Sequence, residues 1–526
     1  VVRLLLAFGV LGLASPVQAA DGAVGTGTPQ SCTEAAFDDV LFAVEGSGGG
    51  TITFDCGPAA AAILFTTIKA ISAPTEIQGG DLVALSGGNA TSLFQVYSGH
   101  TLTLSHITLT HGYGTYGAVQ SFGTLTIDNG QVNDSIATIS GGAIDSYGDV
   151  ILIDSVISGN SAAQMGGGIE TEAGTVTITN SRIADNTAAE GGGIAVVSGA
   201  SATIQDSQLT GNQTTATSAQ GGAVRSEGTL AIDQSELTLN HGSRGGGLSV
   251  LGGTATVTHS TFRGNYSAYG GGIRQEGGDL TVTDVQFTHN GYASNGAPVN
   301  TGGGAISWGA GTATLTDVGM NDNWASYGGG LDHDGGITTL TNVTLSGNAA
   351  VGGGAIDLGA GTLELVNVTI VGNDAAFFGG LGNRGGTLTL KNTLLSGNLN
   401  SQNGTPFNCD QPVSTSSFSM SSDYTCGFGV GYDNLALRIA PLAANGGDTL
   451  THLLGIGSPA IDGGTGLGCP PTDARGVTRP QGLACDVGAV EMAPEPAPAL
   501  LGLTSAFALA AARTRARARS GTRRDG

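Results

Sequence analysis

The chain has 526 residues, a formal charge of −23, only two lysines (Lys69 and Lys391) and 92 glycines. A surface this acidic repels phosphate polymers, which excludes nucleic acid as a partner and makes any anionic polymer depend on a bridging cation. So much glycine would suit a disordered chain, but here it recurs with a period, which argues for a repetitive fold instead.

At the start, Arg3 precedes the apolar run Leu4 to Leu13, and Ser15-Pro16-Val17-Gln18-Ala19 offers small residues for cleavage. Residues 1–19 are therefore expected to be a secretory signal peptide. Residues 20–57 are expected to form an N-terminal cap. Within them Ser31-Cys32-Thr33-Glu34 has the form of a capping box, and Phe37, Val40, Leu41 and Val44 follow at helical spacing. This predicts a short helix covering the open end of whatever follows.

From 58 to 400 the chain repeats. Eleven small-residue runs, most of them Gly-Gly or Gly-Gly-Ala, are closed by Val119, Ile144, Ile169, Ile194, Val224, Leu248, Ile273, Ile306, Leu331, Ile356 and Leu381. Eight of the ten intervals are 24 or 25 residues, and the other two are 30 and 33. In the same register an apolar residue stands three before an Asn, from Ile157/Asn160 to Leu395/Asn398. Between the two signals lie alternating segments such as Gly-Thr-Val-Thr-Ile-Thr at 174–179, the pattern of a strand.

A unit of this size cannot bury its apolar face alone, so the copies must stack. The predicted fold is all-β, a parallel β-helix with about 25 residues per coil, apolar and Asn ladders along its axis, and glycine at its bends. With coils about 4.8 Å apart, twelve or so of them make a rod on the order of 55 Å long. The six cysteines lie outside the repeats as Cys32 and Cys56, Cys409 and Cys426, Cys469 and Cys485. Pairing of sequence neighbours is the simplest arrangement and would staple both ends, although other connectivities are open. Disulfides suit an oxidising, exported location.

The Gly-Gly-Ala-Ile and Phe-x-x-Asn type motifs over about 94–400 resemble the repeats of polymorphic outer membrane proteins, bacterial surface autotransporters. The resemblance implies a right-handed β-helix, a place at the cell surface or outer membrane, and a role in adhesion. That family continues into a large membrane β-barrel, whereas here the repeats are followed by a different pattern. Residues 401–492 hold Pro441 to Thr449, Gly457-Ser458-Pro459-Ala460-Ile461-Asp462-Gly463, Asp473-Ala474-Arg475-Gly476-Val477-Thr478-Arg479-Pro480 and Cys485-Asp486-Val487-Gly488-Ala489-Val490-Glu491. This is similar to the choice-of-anchor Q domain. In 493–526, Pro494-Glu495-Pro496, an apolar stretch and Arg513, Arg515, Arg517 and Arg519 resemble a PEP-CTERM sorting signal. That resemblance implies sorting machinery acting on the tail.

Several residues are candidates for chemistry. Strand alternation is expected to turn outward the residue after each closing apolar position, which gives Asp145 and Glu170, Arg225, Arg274, and Asp332 and Asp357, with Asp334 nearby. Asp332, Asp334 and Asp357 are the candidate catalytic carboxylates, since carboxyls one coil apart approach the spacing of a retaining glycosidase pair. Pectin and polysaccharide lyases and hydrolases share this kind of fold, which makes a carbohydrate-active enzyme the alternative to a binder. Asp332 and Asp334 are also the candidate ligands of a Ca²⁺ ion, the one cofactor considered. His289 and His333 are expected at the surface. For binding, Tyr266, Tyr269, Tyr292, Trp308, Trp324 and Tyr327 fall in neighbouring coils beside Phe377 and Phe378. Together they form a prospective aromatic strip for a cell-surface glycan or an extracellular matrix partner. The surplus residues Gln213 to Gln220 and Gly291 to Thr301 are candidate recognition loops. The resulting expectation is an exported, adhesin-like protein that recognises rather than turns over its ligand.

Overall fold

The computed structural model describes residues 19–291 and 302–492. The expected signal peptide, the C-terminal tail, Tyr292 and most of the longer insertion lie outside the described residues.

Each coil contributes up to four short strands, as in Ile169–Thr171, Thr175–Thr179, Arg182–Ala184 and Thr187–Ala188. Equivalent strands pair in parallel from coil to coil and build a 27-stranded sheet, a 15-stranded sheet and two of five strands. The chain is thus the predicted parallel β-solenoid. Fifteen stacked strands span about 67 Å, longer than the motif count suggests. The excess comes from segments without the motif, such as Ala61–Leu64 and Val83–Ser86, which coil in the same way.

Three apolar ladders fill the interior. The residues that close the Gly runs stack in register, for example Ile144 on Ile169 on Ile194. A second ladder runs through Val176, Ala202 and Leu230, and a third through Ile183, Leu209, Leu237, Phe262 and Phe287. Phe262 and Phe287 stack with centroids 4.9 Å apart.

Two polar ladders close the corners. Asn160, Asn186, Asn212, Asn240, Asn265, Asn290, Asn323, Asn348, Asn373, Asn398 and Asn408 are buried, and each of the first ten donates its amide to the side-chain oxygen of the next. The other amide hydrogen goes to a backbone carbonyl, as from Asn348 to Met320. At the opposite corner Ser155, Ser181, Ser207 and Ser235 each give a backbone N–H to the next hydroxyl, the last to Ser260. Val285, Val318, Val343 and Val368 then take over that position. The preceding residue turns with positive φ, and Asp154, Asn180 and Asp206 are the types that tolerate it. Glycine is required where the small-residue run begins: Gly328 has φ +60, and a side chain there would collide with the Leu331 carbonyl.

At the N-terminal end the helix α1 spans Glu34–Gly46 and buries Phe37, Leu41 and Val44. Phe37 lies 4.9 Å from Phe65 and 6.4 Å from Phe94, so the helix seals the first coils. The predicted capping box is displaced. Thr33, not Ser31, caps the helix through the Ala36 N–H, and Glu34 turns away to Thr66, Thr67 and Lys69. Those donors, one of them a buried ammonium, hold its carboxyl down at about 2 against its own desolvation.

All three disulfides join sequence neighbours: Cys32–Cys56, Cys409–Cys426 and Cys469–Cys485. Beyond residue 436 the chain turns back along the side of the rod. Leu450 N–H bonds Gln286, Thr472 O accepts from Asn342, Ala489 N–H bonds Thr369 and Thr465 N–H bonds Asn392. Leu437, Leu454, Ala460, Val487 and Val490 pack with Leu394 and Met420 of the stack. Strands that face outward earlier, such as Gln208–Thr210, are here covered on both sides, as in Thr344–Ser346. Among the described residues no helix is long and apolar enough to cross a membrane.

Candidate functional site

The residues following the closing apolar positions form a column, polar except at Ala195: Gln95, Gln120, Asp145, Glu170, Ala195, Arg225, Ser249, Arg274, Ser307, Asp332 and Asp357. They were expected to face solvent, and they do not. Asp145, Glu170, Asp332 and Asp357 are at most 2% exposed. Their side chains point away from the core, as alternation requires, but the glycine run of each coil folds back over them. A side chain at Gly302 would strike the Asp332 carboxylate, and one at Gly141 would strike Asp145. The column therefore lies in a roofed crease.

Around Asp332 the crease opens into a cleft of about 280 Å³, lined by Tyr269, Gly302, Ser326, Tyr327, Asp332, Asp334 and Arg384. Tyr269, Gly302 and Tyr327 are successive rungs of one ladder. The two tyrosines, 46% and 47% exposed, therefore flank a bare glycine at a mutual spacing of about 10 Å. On the floor Ser307 donates to Asp332 Oδ2 at 3.3 Å and itself accepts from Arg274 at 2.6 Å. Asp332 Oδ1 is buried without a hydrogen-bond partner. Burial, reinforced by Asp334 and Asp357, pushes the Asp332 carboxyl up to about 7. Asp357 sits one coil on, and burial raises it too, but Arg384 opposes this with contacts of 3.0 and 2.8 Å. Arg384 also lies 3.8 Å from Asp334 and 4.8 Å from the Tyr327 ring centre. The guanidinium thus stands where a cation between Asp334 and Asp357 would stand.

The predicted aromatic strip divides. Tyr269 and Tyr327 line the cleft, Phe377 is exposed, and Phe378 packs on Phe407. Tyr266 is half-buried against His241 with centroids 3.9 Å apart, and Trp324 is half-buried in a strand paired with Ala349. Trp308 is not a surface residue. It is fully buried, because it stands two positions after Ile306 and shares its inward face. His333, two after Leu331, is buried for the same reason and bonds Ala360 O and Thr338 Oγ1. The sequence reading singled out Arg274 but missed Arg384, Gly302 and Ser307 as part of this site. The position of Arg384, three residues after Leu381 and one coil from Asp357, is the signal that could have found it.

A second pair, Asp145 above Glu170, occupies the same crease near the N-terminal end. Burial is the leading cause that raises both carboxyls to about 7, and Glu172 adds to each. A carboxyl raised on folding contributes stability that is complete below its unfolded value and is lost as pH rises through its folded value. The contribution of Asp145, Glu170 and Asp332 is therefore complete below about pH 4 and is lost progressively as pH rises toward and through about 7. Melting followed by circular dichroism at pH 5 and pH 8 is expected to show the higher midpoint at pH 5. In the pair Asp145→Asn, Glu170→Gln the difference should shrink, and an unchanged difference would contradict this origin.

Comparison with protein-family profiles, with curated proteins and with solved structures finds no match to this chain.

Proposed function

We propose that this is an exported surface protein that recognises a glycan in the cleft between Tyr269 and Tyr327. The observation that carries this reading is the pair of exposed rings set along the rod on either side of Gly302, above a carboxylate floor. Aromatic faces cover the apolar faces of a sugar, while carboxyl and guanidinium groups meet its hydroxyls. Burial favours the protonated form of Asp332, which can donate a hydrogen bond, and the carboxyl oxygens of Asp357 and Asp334 can accept, so a neutral saccharide suits the site without a metal. Three disulfides agree with an oxidising compartment. The adhesin-like repeats, the module over 401–492 and the sorting-type tail fit attachment at the cell surface or outer membrane, or release outside the cell, after processing of the tail.

The full chain should be retained on one class within a panel of neutral and acidic glycans. Tyr327→Ala and Tyr269→Ala should each weaken that binding about tenfold or more, since an aromatic anchor at the centre of a site is worth at least about 1.4 kcal/mol. Equal retention of both variants would remove the cleft from consideration.

One observation favours a second reading, turnover by a polysaccharide lyase or glycoside hydrolase. Burial raises the Asp332 carboxyl to about 7 and leaves one of its oxygens without a partner, while Asp357, in register one coil away, is paired with Arg384. Environments that separate two carboxyls in this way suit an acid and its conjugate partner. Newly formed chain ends in the same assay, lost in Asp332→Asn, would replace recognition by catalysis.

A further inference from the structure

Away from the cleft, a mixed donor set forms where the returning C-terminal segment meets the rod. His259 Nε2 lies 3.7 Å from Asp284 Oδ2 and 4.0 Å from Asp448 Oδ2, and the three donor atoms all fall within 4.8 Å of one another. His259 and Asp284 occupy the same corner of successive coils, each at the turn with positive φ. Asp448 comes from the segment that folds back, two residues before the Leu450 N–H that bonds Gln286.

The distances are informative. At 3.7 and 4.0 Å neither carboxylate is hydrogen-bonded to the imidazole, for which about 3.2 Å is the outer limit. A tetrahedral ion that holds N and O ligands at about 2.1 Å sets them about 3.4 Å apart. The three atoms thus stand around a gap of ionic size rather than in contact. The remaining ring nitrogen is already engaged, since His259 Nδ1 lies 3.0 Å from Asp233 Oδ1. A carboxylate on one ring nitrogen fixes the tautomer and turns the lone pair of the other toward a metal. No lysine or arginine forms an ion pair with Asp284 or Asp448 among the described residues. The imidazole distinguishes this set from an ordinary acidic patch, because it selects zinc-like ions over Ca²⁺ or Mg²⁺.

The geometry points to a divalent transition-metal site, best suited to Zn²⁺, in which His259 and Asp284 of the rod and Asp448 of the C-terminal module share one ion, and Asp233 orients the histidine. Its role is a clip between rod and module, and it is independent of the glycan cleft.

The test uses the full chain, stripped with chelator and titrated with Zn²⁺ and, separately, Mg²⁺, by calorimetry and by thermal melting. One Zn²⁺ per chain is expected, with a rise in melting midpoint of several degrees that Mg²⁺ does not reproduce. His259→Ala and Asp448→Asn should each weaken binding at least tenfold and abolish the rise, while their metal-free midpoints stay at the wild-type value. Asp233→Asn should weaken it about tenfold through the lost orientation. Absence of Zn²⁺ uptake, uptake unchanged in His259→Ala, or an equal response to Mg²⁺ would each overturn the site.

Discussion

Replacing Asn348 with alanine is expected to lower stability by about 3 to 6 kcal/mol. The Asn348 amide donates to Met320 O at 2.8 Å and to Asn373 Oδ1 at 2.9 Å. Its oxygen accepts the Asn323 backbone N–H at 3.0 Å and the Asn323 amide at 2.9 Å. Alanine strands three of these groups in a site that water does not reach, each at a cost of about 1 to 3 kcal/mol. Asn348→Asp should be no better, since a carboxylate lacks both donors. At the start of the ladder Asn160 accepts one bond, from the Ser135 N–H, in place of two, so Asn160→Ala should lose less. Urea unfolding of the three variants checks this order. A loss at Asn348 no larger than at Asn160 would show that the ladder is not the source of the corner's stability.

The second large effect is expected at Arg479. Its guanidinium contacts Glu491 at 3.1 Å with both side chains wholly buried, and it also bonds the Asp486 and Gly488 carbonyls. Glu491 in turn accepts the Asp486 and Gln481 N–H groups, and Asp473 accepts the Glu491 N–H. Arg479→Ala leaves the carboxylates of Glu491 and Asp486 without their buried counter-charge, at about 3 to 5 kcal/mol. Burial already raises the Asp486 carboxyl to about 6, so it has little further tolerance for lost cations. The expected outcome is selective release of residues 437–492, seen as rapid proteolysis there while the N-terminal coils persist. Arg479→Ala with wild-type protection of this segment would refute the assignment.

The solenoid could be read from the sequence because its period is enforced by physics at every coil. A bend needs glycine, a ladder needs a like residue, and an amide chain needs Asn in each copy. The serine corner was equally periodic, from Ser155 to Ser260, but it went unread because valine replaces it in the later coils. Site residues were harder. Alternation correctly sends Asp332 and Asp357 away from the core, yet it says nothing of what lies above them, and the glycine run that roofs the crease leaves no mark on an alternating pattern. The same rule places Trp308 and His333 inside, two residues after Ile306 and Leu331. Reading the aromatics as a corner strip overrode it there. Arg384 was missed because its partners Asp357 and Asp334 lie one and two coils away, where only register connects them. The docking of residues 437–492 has no period at all, since each of its contacts, such as Leu450 on Gln286 or Ala489 on Thr369, is made once.

That unrepeated docking also divides the rod into two kinds of length. The coils from Gln286 to Leu394 are tied to one another through the module as well as through their neighbours. Those before His259 are held mainly by the coil above and the coil below, with Gln220 reaching one coil further to Glu276. A coil gained or lost among the latter changes the reach of the molecule by about 4.8 Å and leaves every contact of the module in place. The cleft, with its floor at Asp332 and Asp357, lies on the tied side. Its distance from the C-terminal end is therefore a constant of the architecture, whereas the distance from the cleft to the N-terminal tip is an adjustable dimension.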